Sequence, residues 1–254
     1  MTAVTNHIGT DATSASIVTD STYRGKWTQA ATPSERTARE GLDWLDDHAS
    51  RPLGLPVYDF VKRSIDLTLC SFALVLFLPL LAAIAVTITV SSPGASPLFS
   101  QARAGRGGRL FRVYKFRTMV PNAEELKASL QHLNELEAPD FKITNDPRVT
   151  RLGRFMRKTS LDELPQLFNV IAGHMSIVGP RPCSVSVDDY CGWHSERLEI
   201  RPGLTGPWQV GARADVDFDD KSRLDIAYVR RRCLALDAEI IARTLRVLIK
   251  PSGR

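Results

Sequence analysis

An α/β chain carried on a membrane helix is what this sequence predicts. The prediction rests on an uncharged apolar run at 67–90, an alternating pattern around a glycine-rich turn at 96–119, and amphipathic segments of helical spacing after it. At 254 residues and 43% hydrophobic, the chain can hold one sizeable domain with an appendage, or two small ones, and disorder throughout is excluded. A net charge of +5 and a pI near 9.2 point to an anionic partner: nucleic acid, lipid headgroups or a phosphorylated substrate.

Three regions follow from composition. Residues 1–55 are rich in Ser, Thr, Ala and Asp and are expected as a disordered polar tail. Within it SERTAREGLDWLDDHA (34–49), with Leu42 and Leu45 three apart, has helical spacing, and RPLGLP (51–56) is a hinge. No basic segment followed by an apolar one opens the chain, so no secretory signal is expected. The four cysteines contain no CxxC pair and, with His174 and His194, make no zinc spacing, which leaves reduced thiols in a cytosolic setting.

Residues 56–95 form the membrane segment. LTLCSFALVLFLPLLAAIAVTITV (67–90) carries no charge, and about 20 apolar residues suffice to cross a bilayer. Pro79, near its midpoint, removes a helical hydrogen bond and clashes with the preceding turn. Both flanks are basic: Lys62 and Arg63 come before the run, and Arg103, Arg106, Arg109, Arg112 and Lys115 after it. Lys and Arg gather on the cytoplasmic side, so this symmetry predicts a re-entrant helix–break–helix that dips into one leaflet and returns.

Residues 96–254 make up the remaining domain. SPLFSQARAGRGGRLFRVYKFRTM (96–119) reads as a β-hairpin, and its turn lacks the order of a dinucleotide-binding loop. NAEELKASLQHLNELEA (122–138) places Leu126, Leu130, Leu133 and Leu136 on one helical face. RVTRLGRFMRK (148–158) repeats arginine every third residue: Arg148, Arg151 and Arg154 are assigned to lipid headgroups, and Arg157 to a phosphate site. Trp208 belongs either to the core or to the headgroup level. LDAEIIARTLRVLIK (236–250) either lies on the membrane or closes the domain. No nucleic-acid recognition motif accompanies the positive charge, so nucleic acid is not expected as a partner.

KTSLDELPQLFNV (158–170) poses the sharpest question. Ser160–Leu–Asp–Glu163 fits a helix capping box, with Leu164, Leu167, Phe168 and Ile171 as the apolar face behind it. Pro165 sits too deep for a helix starting at Leu161, so the regular helix is expected nearer Leu164, leaving Asp162 and Glu163 at an open end whose positive field keeps Asp162 ionised. Two adjacent acids point in different directions and suit two tasks: an ionised aspartate attacks phosphorus, and a glutamate ligates Mg²⁺ together with phosphate oxygens.

The segments SLDELPQLFNVIAGHMSIVGPRP (160–182), KFRTM (115–119) and RPGLTGPWQVGAR (201–213) resemble those of the bacterial sugar transferase family, the monotopic phosphoglycosyl transferases, from about residue 57 onwards. The resemblance implies a small α/β/α catalytic domain on a re-entrant membrane helix, with surface amphipathic helices. It implies transfer of a sugar-1-phosphate from a UDP-sugar to polyprenyl (undecaprenyl) phosphate through an aspartyl intermediate, with Mg²⁺ and release of UMP, at the cytoplasmic face of the bacterial inner membrane. Such a reaction starts exopolysaccharide or glycoconjugate synthesis. Carried over, Asp162 is the nucleophile and Glu163 the metal-associated acid. Lys115, Arg157, Arg181 and Arg213 bind phosphate, and Asp225 is a polar site residue. The Ser–Pro pair common at the family's helix break is Leu78–Pro79 here. The rival expectation is an inactive membrane-surface scaffold that binds acidic lipid.

Overall fold

The computed structural model describes residues 54–135, 141, 143–183, 192–211 and 218–249. The tail through residue 53, with the helix expected at 34–49, and Arg213 lie outside the described residues.

Helix α1 spans Leu55–Ser91 and takes Pro56 in its first turn, where the missing N–H has no helical partner to lose. It runs through Pro79 without interruption. The helix–break–helix expected at that proline is not seen: Pro79 deprives the Val75 carbonyl of its donor, yet the segment is one continuous helix. The hydroxyls of Thr87, Thr89 and Ser91 donate to the carbonyls of Ala83, Ala85 and Thr87 at 2.6–2.9 Å, so these polar residues are satisfied within the apolar helix.

Most of α1 is uncovered. Phe72, Val75, Leu76, Val86 and Val90 are each at least 60% exposed, a density of bare apolar surface that water does not favour. Its two ends, however, return to one domain. At the start, Tyr58 donates to Asp237 at 2.9 Å, Lys62 pairs with Asp237 at 3.0 Å, and the buried Asp66 accepts the Ile177 N–H at 3.1 Å. Near the finish, Leu81 and Ile88 are buried against Phe116 and Met156.

The expected hairpin forms: β1 (Leu98–Ala104) pairs antiparallel with β2 (Leu110–Phe116), with Leu98 opposite Phe116 and Ala104 opposite Leu110. The turn between them takes Gly107 to φ 66°, where glycine carries no Cβ penalty. Among the described residues of the helix expected over 122–138, five are α-helical, α2 (Glu125–Ser129), followed by a 3₁₀ turn at Gln131–Leu133. Leu126 and Leu133 are 37% and 43% exposed; with no surface to cover the leucine stripe, so short a helix has little to hold it.

Next come α3 (Arg151–Lys158), capped by the Thr150 hydroxyl on Gly153 N, and α4 (Gln166–Ile171). Gly153 is required there, because a Cβ would lie 2.0 Å from the Thr118 carbonyl oxygen. A short parallel pair, β3 (Ser176–Val178) with β4 (Gly203–Thr205), precedes α5 (Pro207–Gly211), α6 (Phe218–Arg231) and α7 (Leu234–Ile249). Val178 joins Leu224, Tyr228, Leu236 and Ile240 in one core, and Trp208 packs against it. Thus α7 closes the domain with its first half, while Leu245, Val247 and Leu248 remain exposed. A second core, of Cys70, Leu167, Val170 and Met175, joins α1 to α4.

The arginines of 148–154 divide. Arg148 is buried and pairs with Asp146 at 2.6 Å, so its assignment to lipid headgroups is corrected; Arg151 and Arg154 are exposed. The Arg148 hydrogen bonds hold the Asp146 carboxyl below the usual range.

Candidate active site

Asp162 and Glu163 sit on a 3₁₀ turn, Leu161–Glu163, wedged between α3 and α4. No capping box forms. Ser160 adopts φ 56°, the left-handed region rare for a residue with a side chain, and its hydroxyl makes no cap bond. Pro165 stands immediately before the first residue of α4, so the regular helix begins where the proline argument placed it. On either side of the acids, Leu161 and Leu164 pack on the cluster that holds Leu81 and Ile88 of α1. The carboxylate pair therefore lies beside the apolar helix.

Glu163 is the centre of the cluster. Lys115, near the end of β2, donates to its Oε1 at 2.8 Å. Arg181, in the loop after β3, approaches side-on, donating from one nitrogen to Oε2 at 3.2 Å and from the other to Oε1. Burial alone would raise the Glu163 pKa; Arg181 and Lys115 outweigh it and hold the carboxyl at about 2.

Asp162 behaves differently. It is 8% exposed, and burial, reinforced by the neighbouring Glu163 charge, raises its pKa, while Lys115 and Arg157 pull it back. The helix-end field expected to favour its charge is opposed by burial, and desolvation outweighs the local positive groups in setting the direction of the shift. Arg157 reaches inward, its Nε donating to the Thr118 hydroxyl at 3.0 Å.

Asp225 is 0% exposed and ion-pairs with Arg197, itself 2% exposed. Burial pushes Asp225 up to about 6, against the pull of Arg197. The same guanidinium donates to the Arg181 carbonyl at 2.9 Å and to Cys183 Sγ at 2.6 Å. Asp225 thus meets the Glu163 cluster through Arg197 and the backbone of Arg181. Of the expected site residues, the structure gathers Lys115, Arg157, Asp162, Glu163 and Arg181, sets Asp225 behind them, and leaves Pro79 on α1.

The family model described as bacterial sugar transferase matches residues 57–251. The chain belongs to the bacterial sugar transferase family. Among curated members it is 42% identical over 199 residues to the undecaprenyl-phosphate galactose phosphotransferase of Salmonella typhimurium, covering 76% of this chain and 41% of that protein. It is 38% identical over 205 residues to the exopolysaccharide production protein ExoY of Rhizobium meliloti, covering 78% and 87%. It is 39% identical over 209 residues to the UDP-glucose:undecaprenyl-phosphate glucose-1-phosphate transferase of Caulobacter vibrioides, covering 78% and 73%. The matched region spans about two-fifths of the Salmonella relative and nearly all of the Rhizobium one.

Two groups that hold this family member's site together carry no motif. Arg197 lies on a 3₁₀ turn (Gly192–Leu198), where three residues per turn stack it over His194; both are buried. A polar pair three apart is a faint signal, since the same spacing fits a solvated face. Asn169 on α4 donates to the Arg112 carbonyl at 2.7 Å and accepts the Tyr114 N–H at 3.0 Å, fixing the strand that carries Lys115. Within LPQLFNV it resembles any surface amide.

Proposed function

We propose that the chain is a membrane-bound phosphoglycosyl transferase that moves a sugar-1-phosphate from a UDP-sugar to polyprenyl phosphate. The observation that carries this reading is the pairing of a cation-clamped Glu163 with a buried, less acidic Asp162, on a turn whose flanking leucines pack on the apolar helix.

An Asp162 carboxylate oxygen attacks the phosphorus that bears the sugar. The bond from that phosphorus to the bridging oxygen breaks, and UMP departs with the electron pair, leaving an aspartyl phosphosugar. A phosphate oxygen of the lipid then attacks the same phosphorus and frees the carboxylate. Burial favours both steps, because a poorly hydrated carboxylate is the better nucleophile and the acyl phosphate is kept from water. Arg157, Lys115 and Arg181 offset the charge that accumulates on the diphosphate.

Mg²⁺ is compatible with these residues. Lys115 and Arg181 make three hydrogen bonds to Glu163, two at Oε1 and one at Oε2, and a carboxylate has about four acceptor positions, so Oε2 keeps one open. Among the described residues no cluster of three metal-binding side chains exists. Mg²⁺ takes one or two carboxylates and completes its shell with phosphate oxygens and water, so the donor set it needs from the chain is small. Glu163 would hold the ion, which would polarise the phosphoryl oxygens.

Both ends of α1 pack on the same domain, Tyr58 at Asp237 and Ile88 in the cluster with Phe116 and Met156. This supports entry and exit at one face, the cytoplasmic one given the basic flanks. The test is UMP release across a panel of UDP-sugars with long-chain polyprenyl phosphate. Wild type should release UMP, Asp162→Asn should not, and both should extract identically from membranes. Release by Asp162→Asn at the wild-type rate overturns the reading, and no release by wild type with any sugar leaves the scaffold instead.

A further inference from the structure

The Asp162–Glu163 site does not use all the positive charge in the domain. A cleft opens where the first turns of α1 meet β3, the hairpin turn and the α6–α7 corner. Lys62, Arg63, Arg106, Arg201 and Arg232 line it, against Asp59 and Asp66. Lys62 is matched by Asp237. The four guanidiniums are held differently, each by backbone carbonyl oxygens. Arg63 donates to Val170 and Ile171, Arg106 to Glu199, Arg201 to Gly173, and Arg232 to Val229. Among the described residues none of the four forms an ion pair with a carboxylate.

Carbonyl anchoring fixes these groups in place and leaves their charge and several N–H donors unspent. Asp66 is committed to the Ile177 N–H, and Asp59 is an exposed residue at the rim. Two further groups in the cleft wall lack partners. The Ser176 hydroxyl is buried, in a residue 3% exposed, and the Arg232 Nε is buried as well; neither has a hydrogen-bond partner. Unmet buried donors beside gathered guanidiniums favour the entry of an acceptor, either water or the oxygens of an anion. A phosphate group offers several acceptor oxygens and negative charge in the forked geometry that arginine reads.

We propose that this cleft is a second phosphate-binding site, built by Arg106, Arg201, Arg232 and Ser176. It is separate from Asp162 and Glu163, because its α4-side wall is formed at the far end of that helix, where Arg63 and Arg201 meet the carbonyls of residues 170–173. Its chemistry suits the phosphate of an acidic phospholipid or a free phosphate compound. The uncharged run of α1 starts at residue 67, directly after Asp66 of the cleft, which puts the opening at the bilayer boundary.

The experiment measures equilibrium binding to the purified full chain in neutral detergent. One arm titrates inorganic phosphate; the other titrates phosphatidylglycerol in mixed micelles, with phosphatidylcholine as the uncharged control. Arg106→Gln should weaken binding about tenfold, and Arg106→Gln with Arg232→Gln about a hundredfold, in at least one arm. Arg106 is exposed and makes one carbonyl bond, so its single variant keeps the test valid if the double variant folds poorly. Weakening in the lipid arm alone assigns a phospholipid, and weakening in the phosphate arm assigns a free phosphate compound as sufficient. Equal binding by wild type and Arg106→Gln in both arms, or no binding by wild type in either, overturns the site.

Discussion

The two basic regions of the domain use arginine in opposite ways. Around Glu163, Arg181 and Lys115 are spent on one carboxylate, and Arg197 behind them is spent on Asp225. In the cleft at the start of α1, four arginines lean on backbone carbonyls and keep their charge. The first arrangement fixes a geometry and tunes two acids. The second stores positive potential for a ligand. A count of basic residues in the sequence cannot tell them apart, because the difference lies in what each guanidinium touches.

Removing the central acid should break the first arrangement most severely. Glu163→Gln leaves Lys115 and Arg181 without their shared partner, and we expect kcat to fall by roughly 10²–10³, measured as UMP release. Phosphate binding at the cleft should be unchanged, which separates the two regions. Next in size, Arg148→Ala should cost about 3 kcal/mol in chemical denaturation by leaving Asp146 buried and alone. Arg154→Ala should leave stability within about 0.5 kcal/mol and instead weaken association with acidic vesicles.

An effect smaller than that of Glu163→Gln is expected from Arg197→Lys. Lysine keeps the charge opposite Asp225 but loses the fork that also reaches the Arg181 carbonyl. Kcat should drop about tenfold with KM nearly constant, and Arg197→Gln should drop further; equal loss in both variants would reduce Arg197 to a packing role.

The pH response sharpens the contrast between the two acids. Asp162 has a raised pKa, so the acid limb of kcat should lie above the ordinary aspartate value of about 3.9. Glu163 is depressed to about 2 and Asp146 is also lowered. Depressed carboxyls bind fewer protons folded than unfolded, so their stabilisation is complete above roughly pH 4.5 and is lost as pH falls towards 2. Activity should therefore fail at a higher pH than folding, measured by parallel rate and circular-dichroism profiles.

What the sequence made readable follows from range. The hairpin and the start of α4 are set by local rules, alternation and proline, and both came out as those rules require. Long apolar runs are equally plain, and α1 is where the run lies, although its passage through Pro79 shows that one proline does not decide where a helix ends. Patterns shared by two structures mislead. Ser160–x–x–Glu163 looks like a cap, yet the Glu163 side chain goes to Lys115, 48 positions earlier, and to Arg181, 18 later. Arg148 repeats with Arg151 and Arg154 but faces inward because Asp146, two residues back, can neutralise it. Arg197 depends on Asp225, 28 residues away, and no local spacing announces such a partner.

The measurement closest to the central claim is rapid quenching of the wild-type chain with a radiolabelled UDP-sugar before acceptor lipid is added, followed by peptide mass analysis. The account predicts a phosphosugar esterified to Asp162, formed as fast as UMP appears and discharged by polyprenyl phosphate. Label found on another residue, or UMP released at full rate with Asp162 unmodified, would contradict it.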